Sequence, residues 1–420
     1  MHLGAYTVPQ KSTAHSEATM THTSTAGPGT ASAPDRPLPL DRRSLAPDLA
    51  RGVMLLFIAL AHTHLFTVFI GGPENIATAA DQLTVAGTTM FVDLRSYPMF
   101  AALFGYGLAQ IHRRRSEQGY AWPRTRGLLR RRGLWLIVFG LAHTVLLFPA
   151  DILAVYGLVT LLLMGVLRLR DRTLVILAAL WLPVAAAVHA LVASDNAITG
   201  GGMPLMPDGF ANELLFRLTL FAVLVVIMFI STLVPFMIGV LAARHRLLER
   251  PHEHLRLLRT TAFVGIPLAA LGGLPLALDK AGVWTDATPG DVLLTSGLHQ
   301  VSGYAGALGY AALIGLIAVR FSGRQGPVTN ALAALGQRSM TFYLAQSVAW
   351  AVLFSSYTLD VHLTSPAVGV GIAVAVWLTT VLLADLMRRR GMRGPAEVAL
   401  RRLTYGGGAG TGGSRGSGRG

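Results

Sequence analysis

The sequence contains no cysteine among its 420 residues. This absence excludes disulfide bonds, a thiolate nucleophile and any metal site with cysteine ligands. Charged residues are also scarce, at 13% of the chain, whereas a soluble domain usually carries about 25%. So few charges cannot cover the surface of a water-soluble globule of this length. The composition therefore excludes an ordinary soluble domain.

Apolar residues take the place of the missing charges. They make up 52% of the chain, and the mean hydropathy is +0.53. They gather in runs that are long enough to cross a bilayer. We predict an all-α fold, a polytopic membrane helix bundle with about ten transmembrane helices. The ten predicted spans are 49–71, 84–111, 134–148, 151–167, 173–193, 214–243, 260–278, 292–319, 335–357 and 367–387.

The formal net charge is +14, and most of it comes from arginines in short loops between apolar runs. Nucleic-acid binding is one interpretation of a basic chain. The position of these arginines instead indicates the lipid bilayer as partner, with anionic headgroups at the cytoplasmic face. Positive loops stay in the cytoplasm, so we predict that both termini are cytoplasmic and that 194–213, which has acids and no base, lies outside. The basic loops are 112–133, 168–172, 244–259, 320–324 and 388–393.

Three segments complete the predicted organisation around the transmembrane helical domain, 45–405. Residues 1–44 are rich in Ser, Thr, Ala, Pro and Gly and have no apolar run, which predicts a disordered tail. Residues 406–420 form a flexible Gly/Ser/Arg tail, without the interleaved aromatic residues that RNA binding by stacking requires. Residues 394–405 are too few and too charged to span a bilayer, and we expect an amphipathic helix on the inner surface.

Ionisable residues at membrane depth are the best indicators of function in such a chain, because burying them is costly. The stretch "LAHTVLLFPADILAVYG" (141–157) carries His143, Asp151 and Tyr156. Two short helices joined by a tight turn would bring these side chains together near the outer face. A histidine oriented by an acid is what general-base catalysis needs. The same arrangement equally suits a structural hydrogen-bond network.

The first predicted helix carries Arg51 and, eleven residues on, His62. Arg51 can pair with Asp48, and it either orients the helix or binds an anionic ligand. His62 lies about 16 Å farther along the helix, just beyond the middle of the membrane. It is either functional or bonded to a neighbouring helix. His64 lies about 200° around the helix from His62, so the two cannot face one cavity.

Three other sets of polar residues need an interpretation. Arg95 cannot face Asp93, two residues away, and it is either a clamp for an anionic group or half of a structural ion pair. Tyr343 and Gln346 give the ninth span a polar stripe toward the bundle. Cytoplasmic histidines lie among arginines, so no metal site is predicted. Scattered polar residues near outer helix ends are interpreted as interfacial: His189, Arg217, His299 and Gln300.

The hairpin "RRRGLWLIVFGLAHTVLLFPADILAVYGLVTLLL" (130–163) resembles the YeiB-like bacterial membrane proteins, which end in a domain of unknown function numbered 418. That family typically shows Gly-Leu-x-His, then Gly-Asp-Ile-Leu, then Tyr, and the matching residues here are His143, Asp151 and Tyr156. Further blocks resemble the family in the same order, and the C-terminal ones make 335–405 the family's closing region. These blocks are "DLARGVMLLFIALAH" (48–62), "LRSYPMFAALFGYG" (94–107), "LGQRSMTFYLAQS" (335–347) and "GPAEVALRRLTYG" (394–406).

The resemblance implies a protein of the bacterial plasma (inner) membrane with multiple spans and no settled activity. The family is distantly similar to membrane acyltransferases, which move an acyl group from cytosolic acyl-CoA to an acceptor outside. In that case cytoplasmic arginines, including Arg51, would hold the phosphates of acyl-CoA as co-substrate, with no other cofactor. His143 oriented by Asp151, or alternatively His62, would deprotonate the acceptor. The substrate-binding residues would be Arg95, Tyr156, Arg51, Tyr343 and Gln346.

Two other functions fit the same residues. A transporter or exporter of a small solute would use them to bind solute or to relay protons at mid-depth. In a non-enzymatic membrane component they would only hold helices together. The sequence indicates neither the acceptor nor an oligomeric state.

Overall fold

The computed structural model describes residues 45–69, 76, 78–199, 205–321, 326–363 and 365–406. Within these ranges the chain forms thirteen α-helices and no β-strand, which confirms the all-α prediction. The described residues belong to one compact unit, Pro39–Gly420, and a second unit, Met1–Leu38, lies outside them. The predicted tails 1–44 and 406–420 also lie outside the described residues, except for Gly406.

The helices follow the chain with short connections, and a 3-10 turn, Met164–Arg168, extends the fifth. In chain order they are α1 (Leu45–Phe69), α2 (Ala79–Phe91), α3 (Ser96–Glu117), α4 (Trp122–Leu146), α5 (Ile152–Leu163), α6 (Asp171–Thr199), α7 (Phe210–Arg244), α8 (Leu255–Lys280), α9 (Pro289–Phe321), α10 (Pro327–Gln337), α11 (Ser339–Phe354), α12 (Pro366–Arg389) and α13 (Pro395–Tyr405).

The predicted polytopic membrane helix bundle is confirmed. Among the described residues, six helices are long and apolar enough to cross a membrane: α1, α6, α7, α8, α9 and α12. Helix α11, and α5 with its 3-10 turn, are shorter apolar helices. The two remaining predicted spans fall on α2 with α3 and on α4. Six of the ten predicted spans are therefore long apolar helices in the structure, and four are shorter, broken or less apolar.

The predicted span 84–111 is wrong in one respect, because the structure breaks it into α2 and α3. Leu94 has a φ of 58°, in the left-handed region that non-glycine residues rarely adopt. Pro98 lies in the first turn of α3. Proline has no N–H to bond the carbonyl of Leu94, and it favours the first turn of a helix. A continuous helix is therefore interrupted just before Pro98.

The predicted span 335–357 also begins later than expected. Helix α10 ends at Gln337 and α11 starts at Ser339. Arg338, between them, donates to the carbonyl oxygens of Ala334 at 2.9 Å and of Met392 at 2.6 Å. The break is therefore tied to the turn that connects α12 with α13, which lies far away in the sequence.

One end of the bundle is basic, and the helix ends that meet there come from different parts of the chain. Arg113, near the end of α3, donates to Glu249 in the loop after α7 at 2.7 Å. Arg244, at the end of α7, donates to Asp171 at the start of α6. This end, here called the basic end, contains the loops for which a cytoplasmic location is predicted.

The opposite end joins a second set of helix termini. Arg217, in the second turn of α7, donates to the carbonyl oxygen of Leu146 at the end of α4, at 3.1 Å. Asp81 in the first turn of α2 accepts a hydrogen bond from Ser365, the N-cap of α12. The hairpin turn between α4 and α5 lies at this end, as the sequence predicts.

Candidate functional site

The hairpin of α4 and α5 places a carboxylate beside an imidazole. Asp151 is the N-cap of α5, and its Oδ2 accepts a hydrogen bond from the N–H of Ala154 at 2.6 Å. Its Oδ1 lies 2.9 Å from Nδ1 of His143, and both side chains are fully buried. The imidazole N–H is not aligned for a straight hydrogen bond. Gly140 leaves the room for this contact, because a Cβ there would collide with the Asp151 carboxylate.

Helices α1 and α11 complete the group around His143. The ring of Tyr343 lies 5.0 Å from His143 and 5.8 Å from His62, measured between ring centroids. The hydroxyl of Tyr343 faces the N-terminus of α5, next to Asp151. Phe148, from the hairpin turn, packs on His62 with a centroid distance of 4.4 Å. We call His62, His143, Asp151 and Tyr343 the imidazole cluster.

Buried polar atoms without a hydrogen-bond partner are concentrated at this cluster. In folded proteins more than 90% of such atoms are paired, and an unpaired one is costly in hydrocarbon. These atoms are therefore available as hydrogen-bond partners for bound water or a polar ligand. Those at or next to the cluster are His62 Nδ1, His143 Nε2, Thr144 Oγ1, Tyr156 Oη, both polar atoms of the Gln346 amide, and Trp350 Nε1.

Helix α11 contributes a whole face to this set. Tyr343, Gln346 and Trp350 follow one another at i, i+3 and i+7, so they lie on the same side of the helix. All three are buried, and Gln346 and Trp350 have no exposed surface. Sequence reasoning identified the first two and missed Trp350, although the helical spacing was available as a signal.

Tyr156 lies one and a half turns from Asp151 along α5. Its ring stacks on Phe104 of α3 with a centroid distance of 4.5 Å and an interplanar angle of 12°. The Asp151 carboxylate lies within electrostatic range of its hydroxyl. Tyr156 therefore borders the imidazole cluster and links it to α3.

Arg51 lies toward the basic end of the bundle, where it pairs with Asp48 at 3.2 Å. A second arginine, Arg132 of α4, lies within electrostatic range of Arg51 and of Tyr405 in α13. The Nε of Arg132 is buried and has no hydrogen-bond partner among the described residues. Sequence reasoning placed Arg132 in a basic loop and did not single it out.

The two arginines and the two histidines form matching pairs on α1 and α4. His62 follows Arg51 by eleven positions, and His143 follows Arg132 by the same number. Eleven residues are three turns plus about 20°, a rise of about 16 Å, so each arginine shares a helix face with its histidine. His62 lies within electrostatic range of His143, as Arg51 does of Arg132. Arg51 and Arg132 therefore form one level of the two helices, here called the cationic level, and His62 and His143 form a second, the imidazole level.

Arg95 lies elsewhere, at the N-cap of α3. It has no exposed surface, and it donates to the carbonyl oxygen of Ala269 in α8 at 2.6 Å. Its Nη1 lies 3.2 Å from the ring of His299 in α9. Its polar partners are thus on α8 and α9, whereas those of His143 are on α5 and α11.

Arg217, His299 and Gln300, for which an interfacial position is predicted, are buried inside the protein, and all three are at most 1% exposed. Arg217 pairs with Glu213 and donates to the Tyr357 hydroxyl at 2.9 Å. Neighbouring helix ends and loops cover these positions, which hydropathy along one helix does not show. In the described part of the chain, no group of three or more His, Cys, Asp or Glu residues could hold a metal ion.

Comparisons with known proteins agree with this architecture. Residues 242–407 match the family described as "Protein of unknown function (DUF418)". The chain is 24% identical over 393 residues to the uncharacterized protein YxaH of Bacillus subtilis, covering 85% of this chain and 93% of that protein. It is 25% identical over 399 residues to the uncharacterized protein YeiB of Escherichia coli, covering 86% and 96%. Residues 242–407 are therefore similar to the DUF418 family, and most of the chain is similar to two uncharacterized bacterial proteins, YxaH and YeiB.

Proposed function

We propose that this membrane protein transfers an acyl group from cytosolic acyl-CoA to an acceptor on the outer side of the bacterial plasma membrane. The observation that supports the proposal most directly is the pair of levels on α1 and α4. Arginines lie near the basic end, and histidines lie about 16 Å deeper on the same faces. An acyl-CoA has the same layout, with phosphates at one end of an extended arm and a thioester at the other.

The cationic level would hold the donor. Arg51 and Arg132 approach each other despite their like charges, and a phosphate between them would offset that repulsion. Guanidinium groups bind phosphate through paired, charge-assisted hydrogen bonds. The unpaired Nε of Arg132 is one donor for such a bond.

The imidazole level would carry out the transfer. The Asp151 carboxylate, 2.9 Å from Nδ1 of His143, would favour the proton on that nitrogen and leave Nε2 to accept a proton. Nε2 takes the proton of the acceptor hydroxyl or amine, and the acceptor atom attacks the thioester carbonyl carbon. The carbon–sulfur bond breaks, and the leaving thiolate takes the proton from the imidazolium. The Tyr343 hydroxyl, which lies beside Asp151 at the N-terminus of α5, would stabilise the charge on the carbonyl oxygen.

The remaining predicted residues have supporting roles. Gln346 offers an unpaired amide for the acceptor, and Tyr156 borders the position of the acyl group. His62 is the alternative base, because it lies beside the same tyrosine ring. Arg95 is not assigned to this reaction, since its contacts are on α8 and α9.

Transport of a small solute is the second candidate function, and one observation favours it. The break between α2 and α3 falls within a predicted span, and discontinuous helices line the binding sites of many transporters. A transporter would move solute without consuming acyl-CoA, so an acyl-CoA assay separates the two functions.

Because the chain has no cysteine, acyl transfer can be followed by measuring the thiol that acyl-CoA releases. Purified protein in lipid vesicles is mixed with acyl-CoA and candidate acceptors, and the thiol released is measured with a thiol reagent. The chain itself has no thiol, so the signal reports only on the product. We expect release by the wild type and a fall of about 100-fold or more for His143→Ala, the range for loss of a general base.

His252→Ala is the matched control, since His252 is 67% exposed in a loop at the basic end. It should release thiol at the wild-type rate. A deletion strain complemented with each variant, followed by profiling of lipids and envelope glycans, would identify the acceptor. Complementation by His143→Ala as complete as by the wild type would remove His143 from any catalytic role.

A further inference from the structure

The break between α2 and α3 lies deep in the bundle. Helix α2 has 13 residues and starts at the end opposite the basic end, so it descends about 20 Å. From Ser96 to His112, α3 continues for about 24 Å to the basic end. Irregular backbone at this depth occurs where protein or a hydrated site encloses it. The break therefore marks a position at which polar groups can meet a ligand inside the membrane.

Arg95, at this break, has more N–H donors than there are acceptor groups around it. A guanidinium carries five N–H groups. Its described partners are three: the carbonyl oxygens of Asp93 and Ala269, and the ring of His299. Its Nε is buried and has no partner. No carboxylate forms an ion pair with Arg95 among the residues that the structure covers.

Arg217 shows what a purely structural arginine looks like in the same protein. It is equally buried, but the carboxylate of Glu213 pairs with it one turn away. Its Nη1 donates to backbone carbonyls of α4. Its Nε is buried and without a partner, as that of Arg95 is, so the two arginines differ in the ion pair and not in this atom. Arg217 therefore has a carboxylate at ion-pair distance, whereas Asp93 lies only within electrostatic range of Arg95.

The surroundings of Arg95 favour an anion. The N-terminus of α3, a 22-residue helix, directs its positive dipole end to the break. Gly273 of α8 makes room for the two side chains, because a Cβ there would lie 2.9 Å from Arg95 Nη2 and 3.0 Å from His299 Nδ1. Gln300 donates to the Tyr97 hydroxyl at 2.7 Å, and its buried carbonyl oxygen is unpaired. That oxygen would accept a hydrogen bond from an O–H group of the ligand.

Further basic side chains connect this position with the end opposite the basic end. His299 lies within electrostatic range of His189 and of Lys280, which ends α8. His64 of α1 lies within range of the same lysine. Two acids face these groups: Asp93 is near Arg95 and His64, and Asp279 is near Lys280.

We propose that Arg95, His299 and the N-terminus of α3 form a binding site for the anionic group of a small molecule, a carboxylate or a phosphate, that enters from the outer face. The site does not depend on acyl transfer, because Arg95 has its contacts on α8 and α9 and not in the imidazole cluster. A carboxylate or phosphate on Nε would supply a direct ion-pair partner, which Asp93 does not provide.

The test measures thermal unfolding of the purified full-length protein in acetate, phosphate or chloride at matched ionic strength. We expect acetate or phosphate to raise the midpoint of the wild type by about 3 °C or more over chloride. Arg95→Gln and His299→Gln should lose this rise. Arg217→Gln is the matched control, and it should keep the rise even if its midpoint is lower. The anion that stabilises the wild type identifies the class, carboxylate or phosphate.

Salts of this kind also stabilise proteins without binding, and the variants separate that effect. An equal rise in the wild type and in either folded variant would overturn the proposal, as would no rise in the wild type. Arg95→Lys keeps the charge but not the paired donors, and it replaces Arg95→Gln if the latter does not fold. Failure of both Arg95 variants to fold would assign Arg95 to stability and count against the site.

Discussion

Asp151 combines a structural and a chemical role in one side chain. One carboxylate oxygen caps α5, and the other lies 2.9 Å from His143. Capping alone would explain an aspartate at this position, because Asp is among the best N-cap residues. Capping does not explain the buried histidine beside it, with an Nε2 that has no partner among the described residues.

Replacing Asp151 with asparagine separates the two roles. Asn caps helices about as well as Asp, so the unfolding midpoint should change little. The amide N–H₂ would then face His143, which must accept at Nδ1 and therefore carry its proton on Nε2. A protonated Nε2 cannot act as a base. We expect Asp151→Asn to lower thiol release by about 100-fold or more.

Asp151→Ala is the companion variant, since it removes the cap as well and should cost about 1 kcal/mol of stability. If Asp151→Asn releases thiol at the wild-type rate, Asp151 is a helix cap and the catalytic role of the pair is lost.

The residues of one hairpin could be predicted to meet, but those of distant helices could not. His143 and Asp151 flank a single short turn, so their proximity follows from local geometry. Tyr343 reaches both histidines only through the packing of α11 against α1, which periodicity does not encode. Arg132 could not be singled out for another reason. It is one of three consecutive arginines, 130–132, and the sequence does not show which of them faces the bundle.

At the scale of helices, α4 and α5 pack closely because small residues face each other. The carbonyl oxygen of Gly133 would lie 2.6 Å from a Cβ at Gly157, and Gly140 faces the Asp151 carboxylate. We expect Gly140→Ala to destabilise the protein by about 1–3 kcal/mol, the usual cost of overpacking, and to slow thiol release by displacing Asp151. Thermal unfolding and the thiol assay measure the two effects.

Gly127 provides the control within the same helix. A Cβ there would meet nothing within 4 Å, so Gly127→Ala should be neutral or stabilise the helix by about 0.5–1 kcal/mol. Equal stability of the two variants would show that α4 and α5 do not depend on this close approach.

Helix α13 closes the basic end by capping α11. Glu397 accepts hydrogen bonds from the N–H groups of Met340 at 2.8 Å and of Thr341 at 3.2 Å. Because α11 carries Tyr343 and Gln346, this contact ties the last helix to the candidate site. Glu397→Ala should release α13, so that trypsin cleaves after Arg401 and Arg402 faster than in the wild type. Glu253→Ala, in an exposed loop, should leave the cleavage rate unchanged, and equal rates for both variants would contradict the docking.

Helices longer than about 20 apolar residues could be located from the sequence, and breaks inside apolar runs could not. Apolar residues continue on both sides of Asp93 and Arg95 in the run 84–111, so two isolated charges did not suggest a break. Pro98 was the available signal, since a helix rarely continues normally across the residues before a proline. The break before α11 has no such local signal, because it depends on the contact between Arg338 and Met392.

For the whole molecule, the charge of the loops at the two ends of the bundle predicts its membrane orientation. That orientation limits which substrates can reach the candidate site. Arginines gather at the basic end, whereas loops at the opposite end carry exposed acids such as Asp286 and Asp360. Positive loops remain in the cytoplasm during insertion. The cationic level of α1 and α4 would then face cytosolic donors, and the hairpin turn would face the outside. Every functional proposal above depends on this orientation.

The cysteine-free chain allows that orientation to be tested without altering a background thiol. His252→Cys lies in a loop at the basic end, and Asp286→Cys lies in the loop between α8 and α9 at the other end. In intact cells a membrane-impermeant maleimide should label Asp286→Cys and not His252→Cys. After the membrane is permeabilised, both cysteine variants should be labelled. Labelling of His252→Cys in intact cells would show that the membrane orientation is the opposite of the predicted one. The arginines of α1 and α4 would then face away from any cytosolic acyl donor.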